Sequence, residues 1–212
     1  METMKKCIFL LFFLLPGSSL FAQHSMADLF SGKAKVVFLG VDFTHAHYVG
    51  KAGFTDPSAI KNQHINSWNT LIEAEPKKFS LEKPLKLKSD QYESDVADMV
   101  NLNKKSAEVE GHISEEAKAI TEAQVKQYVS QYNLSEKSGI GVVYIAENLN
   151  KNEERMTAWV TFIDLSTKNV LHTELMEGKA GGFGFRNYWA GAIYNINKQV
   201  GSNYKKWSKQ MM

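Results

Sequence analysis

The chain has 212 residues, 43% of them hydrophobic and 23% charged, with 25 Lys and Arg against 23 Asp and Glu for a formal net charge of +2. That composition excludes collagen-like, disordered and multi-span membrane chains. A balance so close to neutral gives no support to nucleic-acid binding driven by phosphate attraction.

Residues 1–22 read as a signal peptide. Lys5 and Lys6 precede an unbroken apolar run at 8–15 (IFLLFFLL), Pro16 and Gly17 break it, and Ala22 stands at a cleavage point before Gln23. The run falls well short of the ~20 residues that a spanning helix needs, so no stable membrane anchor is expected. Cys7, the single cysteine, lies before the apolar run and not after it, unlike the lipid-accepting cysteine of a lipoprotein. Its removal leaves a chain with no disulfide, thiolate ligand or cysteine nucleophile. The expected location is the periplasm or the exterior of a bacterial cell, where nucleotide cofactors are scarce.

Residues 23–34 are small and polar and read as a flexible lead-in. Residues 35–43 (KVVFLGVDF) form a strand buried on both faces. Asp56-Pro57 supplies an N-cap and a first-turn proline to a helix carrying Ile60, His64, Trp68, Leu71 and Ile72 on one stripe, which Pro76 stops. Residues 77–95 carry Lys77, Lys78, Lys83, Lys86 and Lys88 around Pro84 and read as a loop with a short strand. Residues 96–102 (VADMVNL) fit a strand or a helical turn equally. Thr121 and Gln124 form a capping box before the stripe Val125, Tyr128, Val129 and Tyr132.

Residues 139–146 (GIGVVYIA) read as a second buried strand. Residues 156–164 and 170–176, joined by a polar turn, read as an antiparallel hairpin. Trp189, Ile193, Ile196, Val200, Tyr204 and Trp207 step by three or four along a terminal helix, with Gly201 inside the stripe. The order implies a single α/β domain at 35–212, with a mixed sheet of about five strands, three main helices and a C-terminal hairpin followed by a helix.

Residues 139–209 resemble the exported α/β domains of the TolB N-terminal and CsgG-like group. The resemblance lies in a strand, a second strand ending in Phe162-Ile163-Asp164-Leu165-Ser166-Thr167, a turn, the returning Val170-Leu171 and a terminal helix. It implies a domain that assists envelope assembly or secretion. Where that group often has glycine before the returning strand this chain has Lys168-Asn169, and it lacks the lipid anchor that many members carry.

Two constellations offer chemistry. Asp42, His45 and His47 end the first strand. On an extended segment the two imidazoles would share one side and, with the aspartate, supply three ligands to zinc or another divalent metal. His64 is placed to face the same strand end. The second is the glycine-rich stretch entering the last helix, where Lys179, Gly181, Gly182, Gly184, Arg186 and Asn187 would bind an anion through exposed amides and two cations, with Asn187 as cap. It matches neither a Walker loop nor a dinucleotide fingerprint. Exposed aromatics among Trp159, Tyr188, Trp189, Tyr194, Tyr204 and Trp207 would suit sugars or a protein partner, although helical spacing assigns Trp189, Tyr204 and Trp207 to the core.

No nucleophile elbow or His-Glu-x-x-His motif is present. The first expectation is therefore an exported, non-enzymatic envelope protein that binds a protein or cell-wall partner without a cofactor. The alternatives are a small metal-dependent hydrolase built on Asp42, His45 and His47, and a small anionic-ligand-binding protein using residues 178–187.

Overall fold

A computed structural model describes residues 23–134 and 137–212; the expected signal peptide and Cys7 lie outside the described residues. The sheet is organised around β5 (Ile140–Asn150), which is buried along its whole length. On one side β5 pairs antiparallel with β6 (Arg155–Asp164), and β6 pairs antiparallel with β7 (Val170–Lys179), forming the expected hairpin. On the other side β1 (Val36–Asp42) and β2 (His47–Val49) lie end to end, both parallel to β5. Val36 stands opposite Ile140 and Val49 opposite Asn150. Two short strands, β3 (Tyr92–Ser94) and β4 (Ile113–Ser114), extend that side in parallel with β1 and β2. The seven segments form one mixed sheet. β2 and β4 are additional to the strands read from the sequence.

The helices are α1 (Met26–Phe30), α2 (Pro57–Ala59), α3 (Ile65–Ala74), α4 (Pro76–Phe79), α5 (Ala97–Ser106), α6 (Glu122–Ser130) and α7 (Gly184–Met211). The larger core lies where α1, α3, α4 and α7 cover one face of the sheet. A smaller core joins the opposite face to α6 and to Met99 and Leu102 of α5. Trp189, Ile193, Ile196, Val200 and Trp207 of α7 are each at most 1% exposed, as their spacing requires. Gly201 faces Pro84, where a Cβ would meet the nearest atom at 3.4 Å, an ordinary contact, so close packing does not require a glycine there. No helix among the described residues is long and apolar enough to cross a membrane.

Two segments differ from expectation, and a third takes one of the two states left open. Residues 23–34 hold α1, where Ser25 and Asp28 form a capping box and Met26 and Leu29 are buried. Two apolar side chains at i and i+3 suffice to dock this turn on the core. Of residues 96–102, left open between strand and helix, Val96 caps α5 and the rest lie within it; α5 has Asp98 in its first turn and Lys104 and Lys105 in its last, matching the helix dipole. Between α2 and α3 the chain widens into a π-turn at Ile60–His64. That turn brings Ile60 and Ile65 into the core, both 2% exposed, where a regular helix would have placed His64. His64 is rotated to a half-buried position beneath Phe185.

The two free margins of the sheet are closed by side-chain amides. β3 ends at Ser94, opposite Phe38, so the outer edge of β1 is left without a strand at Val41 and Phe43. Asn69 of α3 takes its place, accepting from Val41 N–H at 2.7 Å and donating to Val41 C=O at 2.9 Å. Asn103 of α5 accepts from Phe43 N–H at 2.7 Å and donates to the same carbonyl at 2.8 Å. Both asparagines are buried. At the opposite margin Asn195 and Gln199 of α7 donate to the carbonyls of Lys179 and Glu177 on β7. Occupying edge acceptors in this way discourages pairing with another chain.

Candidate functional site

β1 ends at Asp42, opposite Ile145 in the middle of β5, and after a short turn β2 continues the same line to Val49, opposite Asn150. Asp42 is fully buried there. One of its oxygens accepts from Thr44 N–H at 2.8 Å and from the Thr44 hydroxyl at 2.6 Å, and the other from the Tyr132 hydroxyl at 2.6 Å. The carboxylate thus closes the turn between β1 and β2 and anchors the chain after α6. The segment is not extended at His45, because residues 44 and 45 form that turn.

The two histidines therefore do not share one side. His45 stacks on Tyr128 of α6, with centroids 3.6 Å apart, while His47 lies against His112 at 4.6 Å. His112 Nδ1 sits 3.0 Å from the Ala46 carbonyl, and His47 Nδ1 is buried without a partner among the described residues. His64 belongs to the other face of the sheet, against Trp68 and Phe185. Among the described residues no three His, Cys, Asp or Glu side chains are grouped so as to hold a metal ion.

Burial and the neighbouring His112 and Lys118 push the His47 imidazole down to about 4. The unfolded chain takes up this proton near pH 6.5 and the native chain only near 4, so stability falls as pH drops through that window. A His47→Gln variant is expected to lose less stability between neutral pH and ~pH 5 than the parent, read from urea midpoints. His45, His64 and His172 are lowered in the same direction by burial, so the substitution reduces the loss without abolishing it.

The glycine-rich stretch divides by role. β7 runs on to Lys179, and Gly178 lies so close to α7 that a Cβ there would stand 2.0 Å from the Ala192 carbonyl oxygen. By strand alternation Lys179 then points away from α7. Gly181 N–H donates to Tyr188 C=O at 2.9 Å and is not free for a ligand. α7 begins at Gly184 with Phe183 as N-cap, so Asn187 lies inside the helix and does not cap it. The Arg186 carbonyl accepts from the Trp68 indole at 2.9 Å.

Gly182 and Gly184 do line a cavity of about 240 Å³, together with Gly53, Lys151, Phe185, Tyr188 and Trp189. A second cavity of about 240 Å³ shares Gly53 and Phe185 with it and is also lined by Asp56 and His64. Lys151 thus stands where the sequence suggests Lys179. It comes from the β5–β6 turn, and nothing in its local sequence marks it.

A larger concavity, about 660 Å³, lies elsewhere, along β3 between α3, α4 and α7. Its rim carries Lys77, Lys78 and Lys83 of the lysine-rich stretch and Lys198 of α7. Lys78 and Lys198 sit over the Tyr194 ring, 5.9 Å and 4.4 Å from its centroid. Three glutamates also line it, and each is engaged within the protein. Glu73 accepts from Val96 N–H at 3.1 Å, Glu82 from the Ser89 hydroxyl at 2.9 Å, and Glu93 pairs with Lys35 at 2.5 Å. None of the four lysines pairs with a carboxylate among the described residues. The sequence shows the lysine run but neither Tyr194 and Lys198, which fold in from more than a hundred residues away, nor the engaged glutamates.

No family model matches the sequence, and no curated protein or solved structure matches the chain.

Proposed function

We propose that the protein is an exported, non-catalytic binding domain of the cell envelope that takes an acidic segment of a partner protein in the groove along β3. The observation that carries this reading is the groove's imbalance. Four lysines without carboxylate partners among the described residues outnumber the three glutamates of the groove, of which Glu93 is paired with Lys35 while Glu73 and Glu82 keep their charge and are held by Val96 N–H and the Ser89 hydroxyl. A lysine run is ordinarily a solvated face, but here two of the ammonium groups are drawn over one tyrosine ring in a concave surface. Such a surface steers and holds anions, with an affinity that salt weakens. Export rests on the features of residues 1–22, and the resemblance of residues 139–209 to envelope domains supports the same setting.

Fluorescence anisotropy with a labelled oligoglutamate peptide tests the reading. Binding is expected at low salt, weakening as salt is added. The Lys77→Gln/Lys78→Gln/Lys83→Gln/Lys198→Gln variant is expected to bind about tenfold more weakly or worse, equivalent to ~1.4 kcal/mol. Equal binding by parent and variant overturns the site. Retention of polygalacturonate with no retention of the peptide would reassign the partner to an acidic wall polymer.

A further inference from the structure

β3 ends its side of the sheet and pairs with β1 alone. The parallel register sets Val36 opposite Tyr92 and Phe38 opposite Ser94, and Phe38 C=O accepts from Asp95 N–H at 3.0 Å. In a parallel ladder the residues on either side of a paired position carry its bonds, so Glu93 and Asp95 turn their backbone groups to β1. The N–H and C=O of Tyr92 and Ser94 therefore point outward. None of these four groups has a hydrogen-bond partner among the described residues. The bonds that the two residues make beyond β1 belong to their side chains. The Tyr92 hydroxyl accepts from Leu81 N–H at 3.0 Å and lies 2.7 Å from the Ser94 hydroxyl. The side-chain amides that close β1 at Val41 and β7 at the opposite margin have no counterpart here.

That open edge is a wall of the groove of about 660 Å³. Tyr92, Glu93 and Ser94 all line it, although successive side chains of a strand point to opposite faces. Three consecutive lining residues place the groove along the edge of the strand and not on one face of it. Tyr92 packs on the larger core, the face that α4 and α7 cover. Side chains of a further strand paired with Tyr92 and Ser94 would project to that same face, where Lys77, Lys78 and Lys198 stand. Lysines beside an edge oppose pairing with a basic or apolar strand and favour an acidic one.

Resting on the reading of this groove as the site of an acidic segment, we infer that the segment binds in extended form, as an added strand on the outer edge of β3. Its backbone pairs with the outward N–H and C=O groups of Tyr92 and Ser94. Acidic side chains at every second position meet the lysines, and the positions between them point away and take uncharged strand-forming residues. The partner is thus a segment of alternating acidic and uncharged residues.

The test uses a labelled peptide of alternating Glu and Thr, followed by fluorescence anisotropy at low salt. Ser94→Pro removes an outward N–H and sets a ring on the edge, while the pairing with β1, carried by Glu93 and Asp95, needs nothing from that N–H. Ser94→Ala, which loses the hydroxyl and keeps the N–H, is the control. The parent and Ser94→Ala are expected to bind alike, and Ser94→Pro at least tenfold more weakly. A second readout does not depend on the proline variant: saturating peptide is expected to slow solvent exchange of the Tyr92 and Ser94 amides of the parent at least tenfold. Binding that Ser94→Pro retains in full, or exchange at Tyr92 and Ser94 that bound peptide leaves unchanged, overturns the added strand while the acidic-segment reading stands. No binding of the peptide or of oligoglutamate by the parent overturns that reading and the added strand with it.

Discussion

Replacing Asn69 or Asn103 by alanine is expected to destabilise the protein by about 2–3 kcal/mol each, and replacing both by more than the sum. Each side chain satisfies one backbone N–H, that of Val41 in β1 by Asn69 and that of Phe43 just after β1 by Asn103, and both donate to the Val41 carbonyl. A single substitution leaves one buried N–H unpaired, at ~1–3 kcal/mol, and removes packed atoms besides. The Val41 carbonyl keeps one donor in either single variant and loses its last only in the double one. The excess over additivity is therefore expected to reach ~1 kcal/mol, well beyond the ~0.3–0.5 seen for independent sites. Urea unfolding of the parent and three variants completes the cycle. Additive losses, or single losses below ~1 kcal/mol, would show that β1 does not depend on these amides as described.

Gly178→Ala and Gly191→Ala are expected to cost about 2–3 kcal/mol each, the usual penalty for forcing atoms into a packed interior. The new methyl would stand 2.0 Å from the Ala192 carbonyl oxygen in the first and 2.1 Å from the Gly181 carbonyl oxygen in the second. Both obstacles are backbone, so relief requires α7 to lift from β7 in the first and from the loop at Gly181 in the second. Gly181→Ala meets nothing within 4 Å and is expected to change stability by less than ~0.5 kcal/mol. Comparing urea midpoints across the three separates glycines needed for the helix–strand contact from those that are not. A Gly178→Ala protein as stable as the parent would contradict the close approach of α7.

These two results bear on how the fold is written in the sequence. The buried strands β1 and β5, the β6–β7 hairpin, the capping box of α6 and the aromatic stripe of α7 are legible because each repeats a local pattern. β2 and β4 are not, since pairings of two or three residues depend on how far β5 extends beyond β1. α5 is ambiguous because the sequence around Met99 suits either state, and Asn103, which fixes it against β1, acts at a distance. The expected convergence of Asp42, His45 and His47 assumes an extended chain, and Thr44 supplies the hydroxyl that turns it instead. His64 fits a stripe of regular period until the π-turn at Ile60–His64 exchanges it for Ile65. At the sites, the lysine run and the glycines at 182 and 184 are visible, whereas Tyr194, Lys198 and Lys151 reach them only through the tertiary fold.

The central claim is that the groove along β3 receives an acidic partner. Its most direct test is a nitrogen–proton correlation titration of the protein with unlabelled oligoglutamate peptide, with the shifts traced along the chain. Changes concentrated at Lys77, Lys78, Ser94, Tyr194 and Lys198, fading as salt is added, are expected. Changes spread over lysines all around the molecule, or none at the groove, would contradict it.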